Sequence, residues 1–192
     1  MCGRYTLTNK EEVRSKFNID IDPNYNISPS SQVLIIASGI HKLKWSYTPT
    51  WARKPMNLIN ARYETINEKP SFKNARRCAF IMDGWYEWKR FFNWNKREHV
   101  KDPYYHHIDN KLFYVAGLYN DSGCVCITKN AVNPISDIHH RQPLLLEESQ
   151  LKQWISGDHI FKDTISSKVK IHKVSTYVNS PQNNDFNCIQ AI

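Results

Sequence analysis

The chain has 192 residues, of which 41% are hydrophobic and 12% are aromatic, a composition typical of one folded domain rather than of a disordered chain. Its net charge of +8 favours an anionic partner. No apolar run approaches the roughly 20 residues that span a membrane and no signal peptide is apparent, so we expect a soluble, cytoplasmic protein.

The first half of the chain predicts a short helix and several strands. Thr8 or Asn9 can cap a helix that ends before Pro23, because both side chains accept hydrogen bonds from free backbone N–H groups. The next predicted elements are, in order, strands over Val33–Ser38 and Lys42–Tyr47, an irregular loop over Trp51–Asn60, a brief helix over Pro70–Arg76, and strands over Cys78–Met82 and Trp85–Arg90.

The second half predicts more strands and the best-defined helix, over Glu147–Ile155 with Gly157 just past its end. Asp109-Asn110 is typical of a turn and predicts a hairpin of His106–Ile108 with Leu112–Tyr119. Further strands are predicted over Cys124–Thr128, Leu144–Leu146 and Ile171–Tyr177. We therefore expect an α+β, mostly β fold in a single domain over residues 1–192, with a curved or barrel-like sheet and a few short helices.

The five cysteines are odd in number and irregularly spaced, which favours a reducing compartment over a disulfide framework. Cys124 and Cys126 have no second Cys or His pair at the spacing of a zinc site, so we interpret them as buried thiols. The sequence gives no reason to expect a metal or another cofactor.

Cys2 is the most unusual residue, because removal of Met1 would leave it at the N-terminus. Its α-amine and thiol would then lie two carbons apart, an arrangement that condenses with an aldehyde to a Schiff base and then to a thiazolidine ring. Reference pKa values of about 8 for the amine and about 8.5 for the thiol make both nucleophiles accessible near neutrality. Its position alone favours chance over function, so the argument depends on the rest of the chain.

The stretch from Arg53 to Lys101 contains twelve Lys or Arg and five acidic residues. Aromatic residues are interleaved with these charges or lie just before them: Trp45, Tyr47, Trp51, Trp85, Tyr86, Trp88, Phe91, Phe92 and Trp94. Cations that meet phosphates and rings that stack on unpaired bases are typical of single-strand binding. The alternative is a basic surface over an aromatic core, and several of these rings must belong to the core.

Three further segments contain side chains suited to catalysis or binding. Asn60 can orient an amine, and Arg62 can bind a phosphate. Glu87 lies in a strand between aromatic residues, where burial would raise its pKa and suit it to proton transfer. In the turn before Leu144, His139 can shuttle protons, and Arg141 can bind a phosphate or hold the turn.

Each of these residues also has a purely structural interpretation. Asn60 could cap a turn, Glu87 could pair with Lys89 or Arg90, and the two histidines could be exposed turn residues. Hydrophobic periodicity does not show whether the segments meet in space.

These segments, in this order, resemble the SRAP family, the abasic-site processing proteins associated with the SOS response. The resemblance rests on Met1–Tyr5, Tyr25–Pro29, Trp45–Trp51, Ile59–Thr65, Glu68–Phe72, Asp83–Lys89, Ala116–Leu118, Ile138–Pro143, Val174-Ser175 and Val178–Ser180. It covers nearly the whole chain and implies a compact, β-rich SRAP fold that binds single-stranded DNA and crosslinks to abasic sites.

The resemblance also implies site residues. Cys2, freed of Met1 by an autopeptidase-like reaction, would be the nucleophile, and Asn60 would position its amine or the opened sugar. Glu87 would transfer protons during ring opening and crosslink reversal, and His139 would be the second acid–base group, although neighbouring His140 leaves the identity of the acting imidazole open.

The implied DNA contacts are Arg4, Trp51, Arg62, Trp88 and Arg141. The expected partner is single-stranded DNA with an abasic site, bound by a monomer that needs no cofactor. Two other functions stay open: a thiol peptidase that uses Cys2, and a noncatalytic module that binds single-stranded DNA.

Overall fold

The structure is a computed structural model that describes residues 2–95, 97–159 and 163–192. Its helices are Lys10–Phe17 (α1) and Glu148–Ser156 (α2). Its strands are Tyr5–Leu7 (β1), Asn24–Ile27 (β2), Gln32–Ile36 (β3), Ile40–Lys44 (β4), Asn60–Arg62 (β5), Arg76–Met82 (β6), Gly84–Asn93 (β7), Glu98–His107 (β8), Phe113–Asn120 (β9), Gly123–Asn130 (β10), Arg141–Pro143 (β11), Leu145–Leu146 (β12) and Lys170–Lys173 (β13).

The strands form two sheets. One has the order β13-β8-β7-β1-β2, and the other has the order β11-β10-β9-β6-β3-β4, with β12 paired to β9 and β5 paired to β10. The β5–β10 pair is parallel, and the pairs along both orders are antiparallel. Among the described strands neither sheet closes into a barrel. The predicted class, mostly β with a few short helices, is confirmed.

Asp83 lies where the chain leaves β6 in one sheet and enters β7 in the other. Its buried carboxylate accepts hydrogen bonds from the Thr6 hydroxyl at 2.5 Å, the Thr8 hydroxyl at 2.9 Å and the Asn9 backbone N–H at 2.8 Å. The next residue is Gly84, where a Cβ atom would lie 2.1 Å from the Tyr105 hydroxyl oxygen, so a larger residue would clash. These contacts fix β1 against the start of β7.

The hairpin predicted about Asp109-Asn110 is wrong, although the turn itself is present. Both residues have positive φ angles, 49° and 56°. However, β8 before the turn pairs with β7 and β13, whereas β9 after it pairs with β6, β10 and β12. The chain changes sheets here, because local turn chemistry sets a reversal of direction but does not choose the partner strand.

The aromatic residues divide between the core and the surface. Trp45 and Trp85 are fully buried, and the largest core cluster joins residues of both sheets. Trp51 and Trp94 are 58% and 81% exposed. The helices predicted at α1 and α2 are confirmed: the Asn9 side chain caps α1, and Gly157 ends α2 with a φ angle of 105°. The brief helix predicted over Pro70–Arg76 is shorter, a 3-10 helix over Pro70–Phe72, and Arg76 already begins β6. No helix in the described part of the chain is long and apolar enough to cross a membrane.

Candidate active site

Cys2 is fully buried and lies three residues before the start of β1. Its backbone carbonyl accepts a hydrogen bond of 2.8 Å from the Asn60 side-chain amide. Asn60 is held by β10, because β5 runs parallel to β10 with Asn60 opposite Cys126. Met1, whose removal is expected from the sequence, lies outside the described residues.

The pairing of β1 with β7 carries the N-terminal segment toward Glu87. Tyr5 lies opposite Trp85, and the Tyr86 backbone N–H donates to the Arg4 carbonyl at 3.0 Å. Continued by one residue, this antiparallel register directs the chain toward Glu87. The backbone of the N-terminal segment therefore runs along β7 toward Glu87.

Glu87 is 2% exposed, and burial raises its pKa to about 7. The cause is the loss of hydration, which penalises the charged carboxylate more than the neutral acid. Near neutral pH the side chain is therefore divided between its two forms and can both donate and accept a proton.

His139 reaches the same point from the turn that leads into β11. Its Nδ1 lies 3.9 Å from Glu87 Oε2 and accepts a hydrogen bond of 3.0 Å from the Arg141 backbone N–H. Burial lowers the His139 pKa to about 4, so the ring is neutral at physiological pH. The neighbouring His140 ring is exposed, with its centroid 4.4 Å from that of His139. The geometry thus pairs Glu87 with His139.

Arg141 is 4% exposed, and side chains and backbone of the protein surround its guanidinium. Two parallel hydrogen bonds of 2.8 Å join it to the Glu64 carboxylate, and others reach Asn130 Oδ1 at 2.5 Å and the Thr128 carbonyl at 2.7 Å. The Arg141 hydrogen bonds lower the Glu64 pKa to about 2. These contacts hold the turn before β11 in place, and the binding of phosphate by Arg141 stays a prediction.

An open groove runs past Glu87 and His139. One cavity of about 410 Å³ is lined by Glu87, Trp88, Arg90, Lys101, His139 and Asn179. A second, of about 420 Å³, is lined by Arg62, Trp88, Arg90, Ser136, Ile138, His139, His140 and Arg141. Trp88, Arg90 and His139 line both cavities, so we treat the two cavities as one groove.

The predicted DNA contacts differ in their position relative to this groove. Arg62 is exposed and lines it, and half-buried Trp88 lines it with its indole N–H bound to Asn179 Oδ1 at 2.8 Å. Arg4 instead donates to Asn26 Oδ1 at 2.6 Å, and Trp51 donates weakly to the Pro70 carbonyl at 3.3 Å. Neither Arg4 nor Trp51 is among the described residues that line the two cavities.

Sequence reasoning did not identify three groups at this site. Arg90 and Lys101 line the groove as a cross-strand pair of β7 and β8. Cys126 lies next to Cys2, and a hydrogen bond with the Cys2 side chain, together with burial, raises the Cys126 pKa well above its usual value. The alternation of Trp88 and Arg90 along β7 was an available signal for the first pair, whereas the thiol contact depends on strand pairing.

The chain is similar in sequence to several abasic site processing proteins. The chain is 32% identical to the abasic site processing protein YoqW of Bacillus subtilis and 28% identical to YedK of Escherichia coli, and each alignment covers all of both chains. It is 26% identical to the abasic site processing protein HMCES of Pongo abelii, over 88% of this chain and 65% of that protein.

The fold has a close structural counterpart. A crystal structure of a protein from Bacteroides thetaiotaomicron matches the whole of both chains with a TM-score of 0.77 and 22% sequence identity, which supports the fold alone. The family described as SOS response associated peptidase (SRAP) matches residues 1–181. Since this match spans nearly the whole sequence, the chain belongs to the SRAP family.

Proposed function

We propose that this protein processes abasic sites by forming a thiazolidine crosslink between Cys2, freed of Met1, and the aldehyde of an abasic site in single-stranded DNA. One observation carries the proposal: a buried carboxyl with a pKa of about 7 faces a neutral imidazole where the Cys2 segment meets a groove lined by cations. The names of the relatives, abasic site processing proteins, agree with it.

The groove suits one unpaired DNA strand. Arg62, Arg90 and Lys101 line it with exposed cationic side chains that can meet successive phosphates. Half-buried Trp88 lines the groove beside Glu87. A duplex would keep the abasic sugar within its stack, whereas a single strand can turn the sugar toward the Glu87 carboxyl.

Opening of the sugar requires two proton transfers, and the Glu87–His139 pair can supply both. Protonated Glu87 donates to the ring oxygen as the bond from that oxygen to C1′ breaks, while neutral His139 accepts the proton of the C1′ hydroxyl. The product is the open aldehyde. Because the Glu87 pKa is about 7 and that of His139 about 4, the proton returns readily from the imidazole to the carboxylate.

The crosslink then forms in two steps. The Cys2 amine attacks the aldehyde carbon and water leaves, which gives an imine. The Cys2 thiol adds to the imine carbon and its proton passes to the nitrogen, which closes the ring. The second nucleophile is tethered to the first, so ring closure is intramolecular and fast.

Asn60 is suited to position the amine. Its Nδ2 already holds the Cys2 carbonyl, and its buried Oδ1 has no hydrogen-bond partner among the described residues. A buried amide oxygen without a partner is costly, and an N–H of the new terminal amine would satisfy it. Asn60 would thereby direct the amine lone pair away from itself and toward the aldehyde.

A covalent assay tests the proposal. The protein is mixed with single-stranded DNA that carries one abasic site, and the products are separated under denaturing conditions. We expect a shifted band with the abasic strand, no band with the intact strand, and none with Cys2→Ala. Intact-mass spectrometry should show loss of Met1 from the active protein.

The same assay separates the rival functions. A wild-type protein that binds the strand but gives no covalent band would be a noncatalytic binding module. A protein that cleaves added peptides and ignores DNA would be a thiol peptidase. A band that persists in Cys2→Ala would contradict the proposed nucleophile.

A further inference from the structure

The β7–β8 hairpin extends beyond the groove and ends in an exposed aromatic cluster. Its register runs from Gly84 opposite His107 to Asn93 opposite Glu98. Near the end, Phe92 is 36% and Trp94 is 81% exposed. The Phe92 ring packs edge-on against Trp94 at 4.7 Å and against His99 at 5.2 Å. We call Phe92, Trp94 and His99 the tip cluster.

The tip cluster continues a row of side chains that begins in the groove. Directly opposite residues of an antiparallel pair share one face, and residues two apart along a strand share it too. The register therefore aligns three pairs on one face: Trp88 with Pro103, Arg90 with Lys101, and Phe92 with His99. Along this face the aromatic ring of Trp88 is followed by the two cations and then by the rings of Phe92 and His99.

The surface is also continuous. A cavity of about 510 Å³ is lined by Arg90, Phe91, Phe92, His99, Val100 and Lys101. Arg90 and Lys101 line the groove as well, so the two cations stand between the Glu87–His139 pair and the tip cluster. A DNA strand that leaves the groove on this side would meet Arg90 and Lys101 first and the rings of the tip cluster next.

The chemistry of the row selects its partner. Arg90 and Lys101 are exposed, and neither has an ion-pair partner within the described ranges, whereas nearby Asp102 is bound to Lys173 at 2.5 Å. Exposed rings beside unneutralised cations are poorly suited to an apolar protein surface. A polyanion that carries flat π-faces, single-stranded nucleic acid, matches both features.

We infer that the tip cluster is a second contact for the same DNA strand: a base several nucleotides from the abasic residue stacks on Phe92 or Trp94, while Arg90 and Lys101 bind the phosphates between. This inference rests on the proposed function, which places the strand in the groove. Five residues of β-strand separate Glu87 from Phe92, roughly 17 Å, or about five stacked nucleotides and fewer if the strand is extended.

Equilibrium binding of strands of two lengths tests the inference. The probes are abasic strands with about three nucleotides on each side of the site, and strands extended by about ten nucleotides on the 5′ or the 3′ side. Affinity is measured by fluorescence anisotropy in the Cys2→Ala background, so that crosslinking does not interfere. The variant is Phe92→Ala/Trp94→Ala, and the matched control is Phe186→Ala, an aromatic residue 60% exposed on another element.

We expect the double variant to bind one of the extended strands at least about fivefold more weakly and the short strand unchanged. Phe186→Ala should bind all strands as the parent does, and Trp94→Phe, made alone, should keep the affinity because a ring remains. Unchanged affinity for both extended strands would overturn the inference. Equal losses for short and extended strands would overturn it too, since a remote contact cannot affect a strand that does not reach it.

Crosslinking of the short abasic strand, measured with Cys2 present, keeps this result separate from the proposed function. If the short strand crosslinks but the double variant loses no affinity, the tip contact fails and the crosslinking stands. If affinity is lost but wild type forms no covalent band, the tip contact stands and the crosslinking fails.

Discussion

The base of the groove and the tip of the β7–β8 hairpin use similar residue types in opposite ways. At the base, Glu87 and Arg141 are buried and each has a fixed neighbour. Farther along the hairpin, Arg90 and Lys101 stand between the groove and the tip cluster, and both are exposed. Burial raises the pKa of Glu87 and suits it to proton transfer, whereas exposure lets the long side chains of Arg90 and Lys101 adapt to a partner. The base of the groove is suited to chemistry at a single atom, and the exposed part of the hairpin is suited to binding DNA of any nucleotide sequence.

The largest effect that separates the two regions is expected from Glu87→Gln. The amide keeps the shape of the side chain but transfers no proton, so crosslinking should slow by about 100-fold or more. Affinity for intact single-stranded DNA should stay within about twofold of wild type, because the cations are unchanged. Single-turnover crosslinking and anisotropy provide the two measurements.

The matched control is Glu98→Gln on the same hairpin, where the carboxyl is exposed and remote from His139. It should crosslink at the wild-type rate. Equal slowing by the two substitutions would show that the buried carboxyl has no special role.

Stability should reveal the same burial through its pH dependence. A carboxyl whose pKa rises from about 4.3 when unfolded to about 7 when folded stabilises the fold fully below pH 4.3, and this contribution is lost as the pH rises through 7. The difference amounts to about 4 kcal/mol. The lowered His139 pKa acts in the opposite sense between about pH 4 and 6.5, so wild type alone would show only part of it.

Comparison of wild type with Glu87→Gln isolates the Glu87 contribution, because His139 is present in both proteins. Urea unfolding at pH 5 and at pH 7.5 should show the free energy of unfolding of the variant rising relative to wild type at the higher pH. A difference that does not change with pH would mean that Glu87 titrates normally in the folded protein.

Much of the chemistry at the base of the groove could be predicted from local sequence, but the geometry of that site could not. A carboxyl inside an aromatic strand predicts a raised pKa, and Glu87 has one. However, Glu87 lies on β7 of one sheet, whereas His139 lies in the turn before β11 of the other. Alternation along a strand predicts which face a side chain is on but not which segment lies opposite it. The turn at Asp109-Asn110 was likewise predicted correctly, while its strands were assigned to the wrong partners.

The partner of Arg141 shows the same limit. Glu64 and Arg141 meet because β10 pairs on one side with β5, which leads into Glu64, and on the other with β11, which begins at Arg141. No local pattern encodes a contact made through a third strand. The exposed row of the hairpin is different: its members belong to two adjoining strands, and its alternation could be seen in the sequence.

The smallest expected effect compares a buried cation with an exposed one. Arg141→Met removes the hydrogen bonds to Glu64 and Thr128 and should lower the free energy of unfolding by about 2 kcal/mol, while Arg90→Met should change it by less than about 0.5 kcal/mol. The salt dependence of DNA affinity should show the reverse pattern, with the larger effect from Arg90→Met. Arg90→Met should reduce the slope of log K against log salt by about 0.7, and Arg141→Met should leave it unchanged, because its guanidinium is bound within the protein. If Arg141→Met reduced the slope as much as Arg90→Met, Arg141 would contact phosphate, as the family resemblance implies. The distinction between buried residues at the base of the groove and exposed residues farther along the hairpin would then fail at Arg141.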